Sequence, residues 1–220
     1  MTGLDSSTES YLEAVFELAE IGERVTAARL ARWFQVAAPA SAEVVARIEH
    51  AQLVAVEPDG TVVLSERGRA VAEQMAGRHR IIERYLVDVL GVPWHLADEE
   101  TRKMEPGVSD VVVDRMRESI GDTNRCPHGN PIPGLAPVPP VDLTPLDECG
   151  PGSVVLIDRI REDLELDLDM LRYLEDHDLL PGRRLTVSER DPHGAVTVTG
   201  EGSPVSVGPA IASHVLCVSA

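Results

Sequence analysis

The sequence predicts a mainly α-helical chain that ends in a small β domain. Three observations carry this reading. Apolar residues recur at helical spacing through most of the first 120 positions. A two-stranded wing interrupts them near residue 60. After a proline-rich stretch the pattern changes to short runs of β-branched residues.

Helix one is expected to begin at Ser6, which with Glu9 forms a capping-box pattern, and to bury Leu12, Val15, Phe16 and Ala19. Thr26 can cap a short second helix through Phe34. Pro39 suits the first turn of a third, where its missing N–H costs nothing, and Val44, Val45 and Ile48 repeat behind it up to Ala51. Leu53-Val54-Ala55-Val56 and Thr61-Val62-Val63-Leu64 then flank the turn signal Pro58-Asp59-Gly60. Ser65 is a cap for a long helix reaching Leu90, where Gly91-Val92-Pro93 breaks it. A further helix spans 97–105 and ends at Pro106-Gly107. Ser109 caps the next, which runs to about Ile120. Helix, tight turn, helix and wing in this order are the layout of a winged helix-turn-helix, a DNA-binding form.

Composition sets bounds on what the chain does. A formal net charge of −17 argues against a protein that simply coats nucleic acid. With aromatics at 3%, the core must be aliphatic. Cys126, Cys149 and Cys217 are odd in number and widely spaced, which fits neither a disulfide framework nor a zinc ribbon. The expectation is a reduced, cytoplasmic protein whose metal chemistry rests on His, Asp and Glu. No apolar run approaches the roughly 20 residues that span a bilayer. There is no Gly-rich phosphate loop, no Gly-x-Ser-x-Gly elbow and no nucleophile paired with a base, so an enzyme is not expected.

Seven of the sixteen prolines fall between Pro127 and Pro145, the signature of an extended, semi-rigid linker. Beyond it, the runs 154–157, 185–188, 195–198 and 215–218 read as strands, with one helix at about 168–176, in a small barrel-like domain. The expected domains are 1–74 (winged helix), 75–126 (helical), 127–148 (linker) and 149–220 (β).

On the third helix and its neighbours, Pro39, Ser41, Glu43, Arg47, His50 and Arg29 are the candidates to meet DNA. Arg47 and His50 suit phosphates, and Glu43 can accept from cytosine N4. The segment through Met75 carries six Arg and no Lys against twelve acids, a thin electrostatic footprint for a DNA binder. His79 and Glu83 lie four apart on one helical face and, with carboxylates, suit a divalent Mn, Fe, Zn or Co ion. By pattern alone such a pair is more often a solvated polar pair than a ligand set. The acidic turn Asp98-Glu99-Glu100 is likewise most often a dipole complement at a helix start. Asp163, Glu165, Asp167 and Asp169 form a further acidic run.

Taken together, Ser7-Thr8-Glu9-Ser10-Tyr11-Leu12, Val44-Val45-Ala46-Arg47-Ile48-Glu49, Leu64-Ser65-Glu66-Arg67-Gly68-Arg69, Arg78-His79-Arg80 with Glu83, Ser109-Asp110 and Cys126-Pro127-His128-Gly129-Asn130-Pro131-Ile132-Pro133-Gly134 resemble the diphtheria toxin repressor family of metal-dependent transcription regulators. The last motif is the most specific. The resemblance covers nearly the whole chain. It implies a winged helix, a helical dimerisation domain holding two metal sites, and a tethered SH3-like β-barrel. It also implies an ancillary metal site at His79 and Glu83, with Asp98 in place of the family's second histidine. The β domain's glutamate position falls on Asp167 and its glutamine position on Met170. Of the primary, activating site only Glu105 remains: its methionine, cysteine and histidine positions hold Ser10, Arg102 and Pro106. A guanidinium cannot ligate a cation. Two readings of Arg102 stay open: paired with Glu105 or reaching Ser10, it stands in for that metal as a fixed cation, or it points into water and the site is dead.

The reading that follows is a homodimeric winged-helix regulator of double-stranded operator DNA, a repressor by resemblance, with a divalent transition metal at the ancillary site. The alternative is a dimeric ligand-sensing or protein-interaction module on the same scaffold with weak or lost DNA binding.

Overall fold

The computed structural model describes residues 4–135, 137 and 141–220. Ala136, Val138, Pro139 and Pro140, part of the expected linker, lie outside the described residues. The chain divides into two units, residues 1–78 and 79–220.

In the first unit α1 (Ser6–Glu20), α2 (Ala27–Trp33) and α3 (Ala38–His50) surround an aliphatic core in which Leu12, Leu18, Leu30, Ile48 and Leu53 are fully buried. Tyr11 stacks on Phe34 at 4.3 Å between ring centroids. The cap of α1 is Asp5 rather than Ser6: its carboxylate accepts from the Thr8 N–H at 3.0 Å. Thr26 caps α2 as expected, accepting from the Arg29 N–H. Pro39 stands in the first turn of α3.

The wing is an antiparallel pair, β1 (Val54–Val56) with β2 (Val62–Leu64), in the register Val54 opposite Leu64. Gly60 has φ +82°, the left-handed conformation that the turn requires. Ser65 then caps α4 (Glu66–Asp88) through the Gly68 N–H. Gly68 is obligatory for a different reason: a Cβ there would lie 1.8 Å from the Leu53 carbonyl oxygen, so the helix enters against bare backbone.

The second unit holds the end of α4, α5 (Ala97–Met104) and α6 (Asp110–Ser119), followed by the β domain. Ile81, Ile82 and Leu86 of α4 meet Val113 and Met116 of α6. Ser109 occupies the cap position of α6, but its side chain makes no capping bond. Six antiparallel strands follow: β3 (Thr144–Pro145), β4 (Val154–Ile160), β5 (Arg184–Arg190), β6 (Val196–Thr199), β7 (Val205–Val207) and β8 (Val215–Ser219). They lie in the order β3-β8-β4-β5-β6-β7. Short helices α7 (Glu162–Glu165), α8 (Leu168–Asp176) and α9 (Pro209–Ala212) connect them. β3, β7, α7 and α9 are absent from the sequence reading. At two to four residues each, they are too short to show a period.

Trp94 is buried in the core of the β domain with Leu146, Ile157 and Leu174, and its indole N–H donates to the Pro127 carbonyl at 2.9 Å. The expected linker is not extended over its first residues. Cys126, His128, Asn130 and Ile132 are buried, and the Ile160 N–H of β4 donates to the His128 carbonyl at 2.8 Å. Proline content signals rigidity, and here the rigidity belongs to a packed loop rather than a spacer.

Among the described residues, no helix is long and apolar enough to cross a membrane.

Candidate metal centre and DNA-facing helix

His79 and Glu83 project from one face of α4, and Asp98 enters from the first turn of α5. One potential ligand atom from each lies within 4.8 Å of the others, and Glu83 and Asp98 are almost wholly buried. His79 Nε2 is 3.2 Å from Asp98 Oδ1, and Nδ1 is 3.0 Å from Glu105 Oε2. Glu105, expected at the degenerate site, is thus brought to the His79 imidazole.

Burial opposes a charge on His79, but the hydrogen bonds to Asp98 and Glu105 and the nearby Glu83 charge outweigh it. Its pKa is held well above the usual histidine value. Burial also pushes the Asp98 pKa up, yet the His79 hydrogen bond and the Arg102 guanidinium bring it down to about 2. The flanking carboxylates thus favour the protonated form of the His79 imidazole.

Arg102 does not behave as expected. Its side chain is 53% exposed, not buried, and its Nε donates to both Asp98 oxygens at 2.9 and 2.8 Å. The guanidinium covers a ligand of the His79 cluster. The donor set of one imidazole nitrogen and carboxylate oxygens fits a divalent Mn, Fe, Co or Zn ion. His79, Glu83 and Asp98 would hold such an ion, His79 as the neutral imidazole and Asp98 in exchange for its Arg102 contact.

Asp167 is not part of this cluster. It is exposed and caps α8, accepting from the Met170 N–H at 3.1 Å. The acidic run is split by the fold: Asp163 pairs with Arg161 at 3.1 Å, while Glu165 is buried. Glu165 Oε2 lies 3.2 Å from His128 Nδ1, and Glu83 Oε1 lies 3.1 Å from the same nitrogen. Cys126 completes this second group, since Glu83, Cys126 and His128 also bring ligand atoms within 4.8 Å of one another. The sequence reading, which rested metal chemistry on His, Asp and Glu, left this cysteine aside. The Cys126-x-His128 spacing was the available signal, and it was obscured by the prolines around it.

On α3 the exposed face presents Pro39, Ala42, Glu43, Ala46, Arg47 and His50. Ser41 is not on it: its side chain is fully buried, and its Oγ donates to the Ala27 carbonyl at 2.8 Å. Arg29 is mostly buried, donates to Glu23 at 2.8 Å and lies 5.5 Å over the Trp33 ring, so it serves the fold. Arg47 remains half exposed and reaches Asp5 at 3.3 Å and Ser7 at 2.9 Å. Exposed pairs of this kind are worth little, so the guanidinium can exchange Asp5 for a phosphate.

Three family models match successive parts of the chain. Residues 3–62 match the family model described as iron dependent repressor, N-terminal DNA binding domain. Residues 65–134 match iron dependent repressor, metal binding and dimerisation domain, and residues 144–219 match FeoA domain. The chain is 35% identical over 208 residues to the iron-dependent repressor IdeR of Mycobacterium tuberculosis, covering 90% of each. It is 31% identical over 216 residues to the diphtheria toxin repressor of Corynebacterium diphtheriae, covering 94% of each. Among solved structures, a manganese-dependent transcriptional repressor in complex with manganese superposes with a TM-score of 0.83 at 29% identity, over 97% of this chain and 100% of that one.

Proposed function

The chain belongs to the family of metal-dependent transcriptional repressors that includes IdeR and the diphtheria toxin repressor, and on that premise we propose that it represses transcription as a cytoplasmic homodimer on double-stranded operator DNA. The members it matches are repressors, not enzymes. In this reading residues 1–74 meet DNA, 75–126 dimerise and hold the metal, and the β domain (149–220) follows the segment 127–148. The observation that carries the reading is the convergence of His79, Glu83 and Asp98 in a chain whose first unit ends in a winged helix. A divalent ion held there would supply positive charge that draws the three side chains into one arrangement. His79 would bind as the neutral imidazole, Glu83 and Asp98 as carboxylates.

The DNA-facing surface is α3. Arg47→Ala should weaken binding to every sequence and flatten the salt slope by about one, as expected for one lost phosphate contact. Glu43→Gln should raise affinity, because an exposed charge facing phosphates is removed, and should change base preference. Mobility shift at stated salt, with and without Mn, reads both. Failure of every DNA sequence to bind at low salt, with metal present, would instead favour the interaction-module reading.

Dimerisation is proposed through α6 and the end of α4. Val111, Val112, Val89 and Leu90 are exposed there, Val111 at 70%, while Val113, Met116 and Ile120 turn inward. Apolar residues so placed suit a two-fold contact. Light scattering should give about twice the 23.8 kDa chain mass. A Val111→Glu/Val112→Glu variant should give the monomer. Parent protein that is monomeric at micromolar concentration would refute the assignment.

A further inference from the structure

We propose that Glu83, Cys126 and His128 form a second site for a divalent transition metal, distinct from the His79 cluster but sharing Glu83 with it. The first observation is placement. A ligand atom from each of the three lies within 4.8 Å of the other two, and all three side chains are buried. Glu165, also buried, stands against the same histidine at 3.2 Å. Thiolate, imidazole and carboxylate at one point suit Zn, Fe(II) or Co rather than Mg or Ca.

The second observation is that the ligands are held before any ion arrives. The Cys126 N–H donates to the Asn130 carbonyl at 2.8 Å, and the Gly129 N–H donates to the Cys126 carbonyl at 3.0 Å. Gly129 has φ +93°, and a Cβ there would lie 2.3 Å from the Asp158 carbonyl oxygen, so the loop is pressed onto β4. Asn130 Nδ2 donates to Glu165 Oε1 at 3.2 Å and fixes that carboxylate, the kind of support that outer partners give to metal ligands. The Trp94 ring stands edge-on to His128 at 4.5 Å and closes one side with apolar surface.

The third observation is orientation. His128 Nδ1 faces both carboxylates, 3.1 Å from Glu83 Oε1 and 3.2 Å from Glu165 Oε2, and is the ring nitrogen placed to serve as ligand. A divalent cation bound here would send the thiol proton, and any proton on His128, to solvent.

Cobalt(II) titrated into the reduced full-length protein tests the proposal, because a thiolate ligand gives a charge-transfer band in the near ultraviolet that oxygen and nitrogen ligands do not. The band is expected to saturate in the parent, to vanish in Cys126→Ser, and to survive in His79→Ala and Asp98→Ala. Those last two variants separate this site from the His79 cluster, so failure of either site is read independently. Cys149→Ser/Cys217→Ser leaves Cys126 as the sole thiol. Cobalt-edge absorption on that variant is expected to show sulfur at about 2.3 Å, whether or not Cys126→Ser folds. An absent band at saturating cobalt, a band that persists in Cys126→Ser, or a shell of oxygen and nitrogen alone in the double variant would each overturn the assignment.

Discussion

Arg80→Ala should destabilise the protein by about 3–5 kcal/mol, the cost of leaving a buried charge without its partner. Arg80 is 2% exposed, with its Nε and a terminal nitrogen on Glu162 Oε1 at 2.9 and 2.6 Å and another on the Pro131 carbonyl. It joins α4 to the loop before the β domain and to α7. Removing it takes a guanidinium from the Glu162 carboxylate, which is itself mostly buried. For a chain of this size the melting temperature should fall by roughly 10 °C, read by circular dichroism. Replacing both partners together, Arg80→Met with Glu162→Leu, should recover much of the loss, since no charge is then left alone. A loss below about 1 kcal/mol in Arg80→Ala would mean that water solvates the pair. Arg102→Ala offers a contrast. Its guanidinium is half exposed and pairs four residues away on the same helix, so the expected change is only about 0.5 kcal/mol.

His79→Ala/Glu83→Ala should abolish stoichiometric Mn binding in calorimetry. The pair supplies the only imidazole of its cluster and the carboxylate common to both clusters. In the parent, affinity should rise with pH by about tenfold per unit while His79 is protonated, because the ion displaces one proton. The raised pKa extends that window above the usual histidine range. The same proton acts oppositely on the metal-free fold. Its stabilisation is fully present below the unfolded pKa and is lost as pH rises through the raised folded value. Arg102→Ala should tighten Mn binding, since Asp98 no longer has to exchange a guanidinium for the ion. Unchanged stoichiometry in the double variant would sink the His79 assignment.

The amino-acid sequence by itself determined the elements whose signals are local. The wing followed from Pro58-Asp59-Gly60 between β-branched runs. The start of α2 followed from Thr26, that of α4 from Ser65, and the shared face of His79 and Glu83 from their spacing of four. In each case the deciding bond or turn lies within a few residues, so neighbours encode it. The tertiary structure decided burial and the choice of partner. Ser41 looks like a hydroxyl for DNA, yet it is turned inward to bond Ala27, 14 residues away. Asp167 and Glu165 are indistinguishable in an acidic run, but one caps a helix in solvent while the other is buried beside His128. Glu83 meets His128 across 45 residues and Arg80 meets Glu162 across 82. No spacing rule spans such distances. They are set by how β4 and its loop close on α4, where desolvation penalises every buried charge that lacks a partner.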